Sequence, residues 1–587
     1  MQAIKNAFKE HQGYKQAKEA IDKGIFPINV WGIDGRVSPL IMDSLGENSR
    51  VKLIVTHSER RARQIEEDYR FYDRRVHYYP AKDLLFYYAD IHGNATVKSR
   101  LDIFKEISSG NQLTIVTTID GLMDKLPKMS HITGNVIEIS QGQTVDIAKL
   151  SAQLVSLGYE KTSMVEETGQ FSVRGGIIDI FPLTEECPYR VELWGDDVDS
   201  IRMFDVESQR SIETCNSISI YPAVEMSLTE DMIDKGLKKL QKEYDKQSKL
   251  LKEQFRTEQY ARLKRMVENI KEELKEFNST TGLDSLVEYF YDETVSFLDY
   301  IPEESFIFVD EPEKVYEKAI TYTMHIEESM KDRLEGGYVL PTQANILYDG
   351  KAIVGRLAGR KCILMETLYK KAIAWGEKES VNINSRSIIS YKDNINSLAK
   401  DIAGFRKKGY KTVILSPSGT RGKRLAGDLR DYDLEVYFSE NTDRVMIPTE
   451  VMVTVGRIEA GFEIPEAKLI VIGEGDIFTD KELKKRKRLP KFHGDKINSF
   501  ADVSVGDYVV HQNHGIGIYK GIQGVETDGR LKDYITIEYE KGSQLFIPVE
   551  QLDMIGKFSG KEGAKPKLNK LGGSEWQKVR QRVREHV

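Results

Sequence analysis

Cysteine is scarce in this sequence: Cys187, Cys215 and Cys362 are the only three in 587 residues. They are far apart and none has a CxxC neighbour, so neither a zinc site nor a disulfide framework is implied. Such usage fits a reducing, cytoplasmic setting. No apolar run approaches the ~18 residues that a membrane span needs, which speaks against a membrane partner. The opening residues, MQAIKNAFKEHQGYKQAKEAIDKG, read as a charged amphipathic helix rather than a signal peptide. Basic charge is not in excess either. The net charge is −7, so any contact with nucleic acid must come from a local patch. There is no GxSxG, no paired-carboxylate signature and no Cys/His constellation, so no catalytic residue and no metal ligand is identified.

What is there is a multidomain chain, 40% hydrophobic and 30% charged, with enough apolar mass for large cores. Residues 1–125 read as α/β: VKLIVTH and NQLTIVTTI are apolar, β-branched runs separated by stretches of helical periodicity. From 126 to 222 short strands between Gly, Pro and Asp turns predict a small, mainly antiparallel domain. Residues 223–385 open with one or two long charged helices, whose charge reads as a solvated face, and then complete the first α/β domain. A second small α/β domain is expected over 386–480. The run TDKELKKRKRLPKFHGDK places a basic linker at 481–497, which leaves a DNA contact open. Residues 498–560 carry short strands with glycine turns and predict a small β-barrel. Residues 561–587 read as a linker and a helix with a capping box, Ser574 and Gln577, still in register at its last residue, as a truncated helix would be.

The stretch VWGIDGRVSPL follows an apolar strand and leads into helical spacing, which is where a phosphate-binding loop would sit. Gly32 and Gly35 match its glycines. Val37, Ser38 and Pro39 then stand where the chemistry requires Gly, Lys and Ser/Thr. No lysine reaches the phosphates, no hydroxyl holds Mg²⁺, and Pro39 offers no N–H. The loop is therefore expected to be a non-functional remnant. Asp310 and Glu311, after the apolar run FIFV, are placed like the acidic pair of a motor ATPase, but without such a loop they read as an acidic helix start. Gly456, Arg457 and Gly461 have only the outline of a helicase loop. His511 and His514 have no third ligand nearby, and structural roles are expected for both.

Two segments are specific enough to carry a family resemblance. GQFSVRGGIIDIFPLTEECPYRVELWGDDVDSIRMFDVESQRSI resembles the domain shared by the repair helicase UvrB and the transcription-repair coupling factors. VGDYVVHQNHGIGIYKGI, with KDYITIEYEKGSQLFIPVEQLDMIGKF after it, resembles the RNA-polymerase-interacting module of the same family, which is related to CarD regulators. Their order in one chain is that of the transcription-repair coupling factor (Mfd) family.

The resemblance implies a multidomain α/β and α+β protein with a degenerate helicase-like domain, an inserted UvrA-binding domain and a Tudor/CarD-like barrel. It implies that the RecG-like translocase domains, which use ATP and Mg²⁺, are absent, so that this part needs no cofactor and is no enzyme. It assigns UvrA contact to Arg174, Arg190 and Trp194. It assigns contact with the RNA polymerase β subunit, by strand addition, to Lys520, Gly521, Ile522, Gln523, Gly524 and Val525, where a proline at Val525 would damage binding more than alanine. The expected function is non-catalytic recognition: holding a stalled polymerase and recruiting UvrA for nucleotide excision repair in the bacterial cytoplasm, at the nucleoid. A UvrB-like ATP-dependent DNA helicase and a CarD-like transcription regulator remain as alternatives.

Overall fold

The computed structural model describes residues 2–82, 94–206, 208–277, 283–391, 394–458, 460–478, 505–511, 515–527, 530–539, 543–548, 555–557 and 568. The basic linker, His514 and the helix expected around Ser574 lie outside the described residues.

Seven strands form one all-parallel sheet in the order Glu379–Asn382, Ile28–Trp31, Lys361–Glu366, Phe306–Asp310, Val51–Thr56, Leu113–Thr118, Val76–Tyr79. Helices cover both faces, so the central strands read as unbroken apolar runs; every residue of Val51–Thr56, Leu113–Thr118 and Phe306–Asp310 is buried. The chain leaves this sheet after Thr118 and returns to its centre at Phe306. Everything between is inserted.

The insertion contains two units. The first is a six-stranded sheet ordered Ser211–Cys215, Asp197–Phe204, Tyr189–Trp194, Ile177–Phe181, Gln170–Arg174, Glu160–Lys161, antiparallel except at its last pair. One face packs Phe171, Ile178, Ile180, Val191 and Ile201 against Leu150 and Leu154 of the helix Ile147–Ser156. Asp146 caps that helix, accepting from the Ala148 and Lys149 N–H groups. The second unit is a hairpin of two long helices, Glu230–Glu253 and Thr257–Phe277, reversed at Phe255 in the left-handed region (φ 56°).

Where these pieces meet the parallel sheet, charges are buried together. Arg100 is fully buried, with Nε 2.7 Å from Glu225 and Nη1 3.2 Å from Asp124. Lys82 reaches Glu225 at 2.9 Å and Asp284 at 2.5 Å. Burial pushes the Asp124 carboxyl up to about 6 despite the Arg100 cation beside it.

A second, mixed sheet runs Arg386–Ser387, Phe462–Ile464, Leu469–Ile472, Lys411–Ser416, Val451–Val455, Val436–Phe438. It is not separated from the first. Val413, Leu415, Met452, Phe462 and Val471 share one apolar core with Ile28, Val30, Ile41 and Phe71. The opening segment also differs from the single helix expected. It forms two helices, Gln2–Phe8 and Gln12–Asp22, because His11 breaks the first and caps the second by accepting from the Gly13 N–H. This pair bridges the two sheets, through Ala3 N–H to the Thr442 carbonyl and Lys411 to Glu10.

The last five strands run Gln544–Pro548, Arg530–Glu538, Gly515–Thr527, Tyr508–His511, Ile555–Lys557, all antiparallel. Among the described residues the two outer strands, Gln544–Pro548 and Ile555–Lys557, are not paired with each other, and the β-barrel expected from the sequence is not closed there.

Candidate functional site

The loop after Ile28–Trp31 is filled by the protein itself. Gly32 adopts φ 84°. Beside Gly35 lies the Arg61 guanidinium, whose Nη2 donates to the Gly35 carbonyl at 3.1 Å. The same guanidinium forks Asp310, Nε to Oδ2 and Nη2 to Oδ1, both at 2.9 Å. Thr56 adds a third donor to Asp310 at 3.1 Å. Burial works against the Arg61 charge, but the hydrogen bond and attraction of Asp310 outweigh it and raise its pKa. Val37 precedes the helix Ser38–Leu45 without a side-chain cap, and Ser38 and Pro39 are buried in it. The acid in the position of a metal-binding aspartate thus holds an internal arginine. Its neighbour Glu311 stands at φ 57° before the helix Pro312–Glu335, as the acidic helix-start reading expected.

The glycines of VTVGRIEAGF have packing roles. A Cβ on Gly456 would lie 2.2 Å from the Phe71 ring of the first sheet's lobe, and one on Gly461 would lie 2.3 Å from the Val471 carbonyl. His511 is buried at the end of its strand, and no cluster of metal-ligating side chains occurs among the described residues.

On the outer face of the inserted antiparallel sheet, Arg174 and Arg190 are brought together by Asp179. Register places Asp179 opposite Arg190, and Arg174 one row along. Asp179 is 1% exposed. It accepts from Arg174 Nη2 at 2.5 Å, Arg190 Nε at 2.7 Å and Arg190 Nη2 at 2.9 Å. Arg190 also donates to Gln209 at 3.1 Å and lies over the Phe204 ring at 4.5 Å. The hydrogen bond to Asp179 raises its pKa. Trp194 shares the strand and the face of Arg190, four residues on, at the turn into Asp197–Phe204. It is 85% exposed. The face is therefore two arginines locked by a buried acid, with a free indole at its tip.

Asp179 escaped the sequence reading, although it was detectable as the sole charge inside the apolar run GGIIDIF. Arg61 gave no such signal, because it lies in a charged helix, SERRARQIEEDY, and only the tertiary fold brings it to Gly35 and Asp310.

Among the described residues, the strand Gly515–Thr527 is covered along only part of one edge. Tyr508–His511 pairs with Gly515–Ile518, and Tyr519 still exchanges hydrogen bonds with Gly506 and Asp507. Beyond Tyr519 its partner among the described residues is Arg530–Glu538 alone. A one-residue bulge at Lys520 follows, and Gly521 there has φ 107°. Since the Tyr519 backbone points away from Ile537, alternation makes Gly521, Gln523 and Val525 the residues bonded into the hairpin. Ile522, Gly524 and Glu526 turn their N–H and C=O groups to the open edge. A proline at Val525 would accordingly break the hairpin's own hydrogen bonds rather than the open edge.

Comparison with known proteins agrees with these two places in the chain. Residues 137–226 match the family model described as the UvrB interaction domain, and residues 503–559 match the CarD-like/TRCF RID domain. The transcription-repair-coupling factor of Bacillus subtilis is 31% identical over 591 aligned residues, covering 100% of this chain and 50% of the relative. Those of Staphylococcus epidermidis and Staphylococcus haemolyticus are each 28% identical over 551, covering 93% of this chain and 46% of the relative. The chain spans about half the length of the relatives it matches. With a UvrB interaction domain followed by a CarD-like/TRCF RID domain, and similarity along its whole length, this chain resembles the N-terminal part of a transcription-repair coupling factor.

Proposed function

We propose that this chain is the non-catalytic recognition part of a transcription-repair coupling factor. It holds the β subunit of a stalled RNA polymerase by adding a strand at the open edge of Lys520–Val525, and recruits UvrA through Arg174, Arg190 and Trp194, so that nucleotide excision repair starts on the transcribed strand. The observation that carries the reading is the presence in one chain of two recognition domains, each with a docking element: an indole 85% exposed beside fixed arginines, and a strand edge that is open after Tyr519 among the described residues. An exposed tryptophan beside guanidinium groups is hot-spot chemistry, and an open edge is the substrate of strand addition.

In this reading the loop at Gly32–Pro39 binds no nucleotide, because the Arg61–Asp310 pair occupies it. The two α/β lobes pack through one shared apolar core, with Val413, Leu415 and Met452 against Ile28 and Val30. ATP and Mg²⁺ belong to motor domains outside this sequence, and the setting is the bacterial cytoplasm. The test is a pull-down of the 587-residue chain with purified UvrA and purified polymerase β subunit, each alone. Capture of both is expected, with UvrA lost on Trp194→Ala and the β subunit lost on Ile522→Pro. Failure to capture either partner would overturn the corresponding half.

A further inference from the structure

The helical hairpin carries a charge arrangement that neither recognition domain uses. Its helices pack through Leu237, Leu240, Leu263, Val267 and Leu274. Along one side of that seam runs an open groove of about 690 Å³. Lys238, Lys242 and Lys246 line it from the first helix, and Lys271 and Lys275 from the second. Among the described residues Asp234 and Asp245 are the acids lining it, so their formal charge together is +3 (five lysines less two aspartates) in a chain of net charge −7.

Of the lysines elsewhere on the same helices, three have acidic partners: Lys239 with Asp292 at 3.0 Å, Lys249 with Glu253 at 4.0 Å and Lys264 with Glu268 at 3.7 Å. In the groove, Lys238, Lys242, Lys246 and Lys275 have no ion pair among the described residues. Asp245 is turned to Gln241, which donates to it at 2.6 Å, and Lys271 donates to that same Gln241. Three pairs of lysines stand four residues apart (Lys238 and Lys242, Lys242 and Lys246, Lys271 and Lys275), a spacing at which like charges repel and weaken the helix. The fold gains nothing from this arrangement; an anionic partner would.

The shape of the row narrows that partner. Four residues of helix advance about 6 Å and turn about 40°, so Lys238 to Lys246 is a gently slanting row about 12 Å long. A linear polyanion fits it, and one strand of duplex DNA presents a phosphate every ~3.4 Å of axis, three or four along such a row. Among the described residues the groove has lysines and neither arginine nor an aromatic ring, which suits contact with phosphates without base readout or base stacking. We propose that this groove is a sequence-independent binding track for the backbone of duplex DNA. The charged helices are then a binding surface on one side and a solvated face on the others.

The test is fluorescence anisotropy of a labelled duplex with the full 587-residue chain over a range of salt. The triple variant K238Q/K242Q/K246Q keeps good helix formers at exposed positions. It is expected to lower the slope of log K against log salt by about 2.7, at about 0.9 for each phosphate no longer neutralised, and to weaken binding at least about tenfold at low salt. The control K239Q/K249Q/K264Q, with the same change in net charge off the groove, is expected to leave the slope unchanged. Both variants should retain capture of UvrA and of the polymerase β subunit, so the result stands apart from the proposed function. An unchanged slope in the groove variant, an equal weakening in the control, or displacement of the duplex by polyglutamate or by single-stranded DNA at equal charge concentration would overturn the proposal.

Discussion

Substitution of Arg190 by alanine and of Trp194 by alanine should separate stability from binding on one face of the inserted domain. Asp179 is 1% exposed, and its carboxylate is held by three donors, two of them from Arg190. Removing one partner of a buried ion pair costs about 3–5 kcal/mol, because the remaining charge is left without compensation. Arg174 still donates to Asp179, and the Arg190 side chain is 18% exposed, which puts the expected cost near the low end. Arg190→Ala should therefore destabilise the domain by about 3 kcal/mol. Adding Asp179→Asn to it should recover more than half of that, since the orphaned charge is then gone. Trp194 buries almost nothing within the chain, so Trp194→Ala should shift stability by no more than about 0.5 kcal/mol. If it anchors a desolvated interface, its removal should cost about 2 kcal/mol of UvrA affinity, roughly 30-fold. Urea unfolding followed by circular dichroism measures the first quantity. Calorimetric titration with UvrA, at a temperature where every variant is folded, measures the second. Arg190→Ala with wild-type stability would refute the argument about Asp179, and Trp194→Ala with unchanged UvrA affinity would remove the indole from the interface.

Three further outcomes are expected. Mg-ATP titrated into the chain should give no binding heat, in wild type or in Arg61→Ala, because the loop still lacks a lysine; micromolar affinity abolished by substitutions at Gly32 or Gly35 would contradict this. Ile522→Pro, at an open-edge position, should abolish polymerase β-subunit binding while the hairpin stays folded, whereas Val525→Pro should unfold the hairpin itself; the reverse pattern in amide hydrogen exchange would refute the assigned register. Asp124 is raised to about 6 by burial, above its ordinary value, so the folded state holds its proton more tightly than the unfolded one. Its contribution to stability is favourable at low pH and is lost as pH rises from about 4 to about 6, a window shared with Asp102, which burial also raises to about 6. Asp124→Asn should flatten the fall of the urea midpoint across that window, and an unchanged profile would exclude Asp124 as a contributor.

The runs VKLIVT, LTIVTT and FIFVD were legible as strands of one parallel sheet, because strands buried on both faces must be apolar throughout, and that signal is local. The loss of phosphate chemistry at Val37, Ser38 and Pro39 was equally legible, since it depends on residue identity alone. What occupies the loop was not: Arg61 meets Gly35 across 26 residues and Asp310 across 249, and no periodicity records such a meeting. The two arginines and the tryptophan could be singled out one by one. That Asp179 ties Arg174 to Arg190 while Trp194 stays free follows from cross-strand register, which pairs residues by sheet geometry. The same holds for the strand at Lys520–Val525, where sequence suggested an edge but the bulge after Tyr519 decides which N–H groups face outward. Residue identity determined which chemistry this chain has given up and which recognition modules it carries. Tertiary structure decided which of its charges are spent internally and which remain for a partner, because a salt bridge depends on distance in space rather than along the chain.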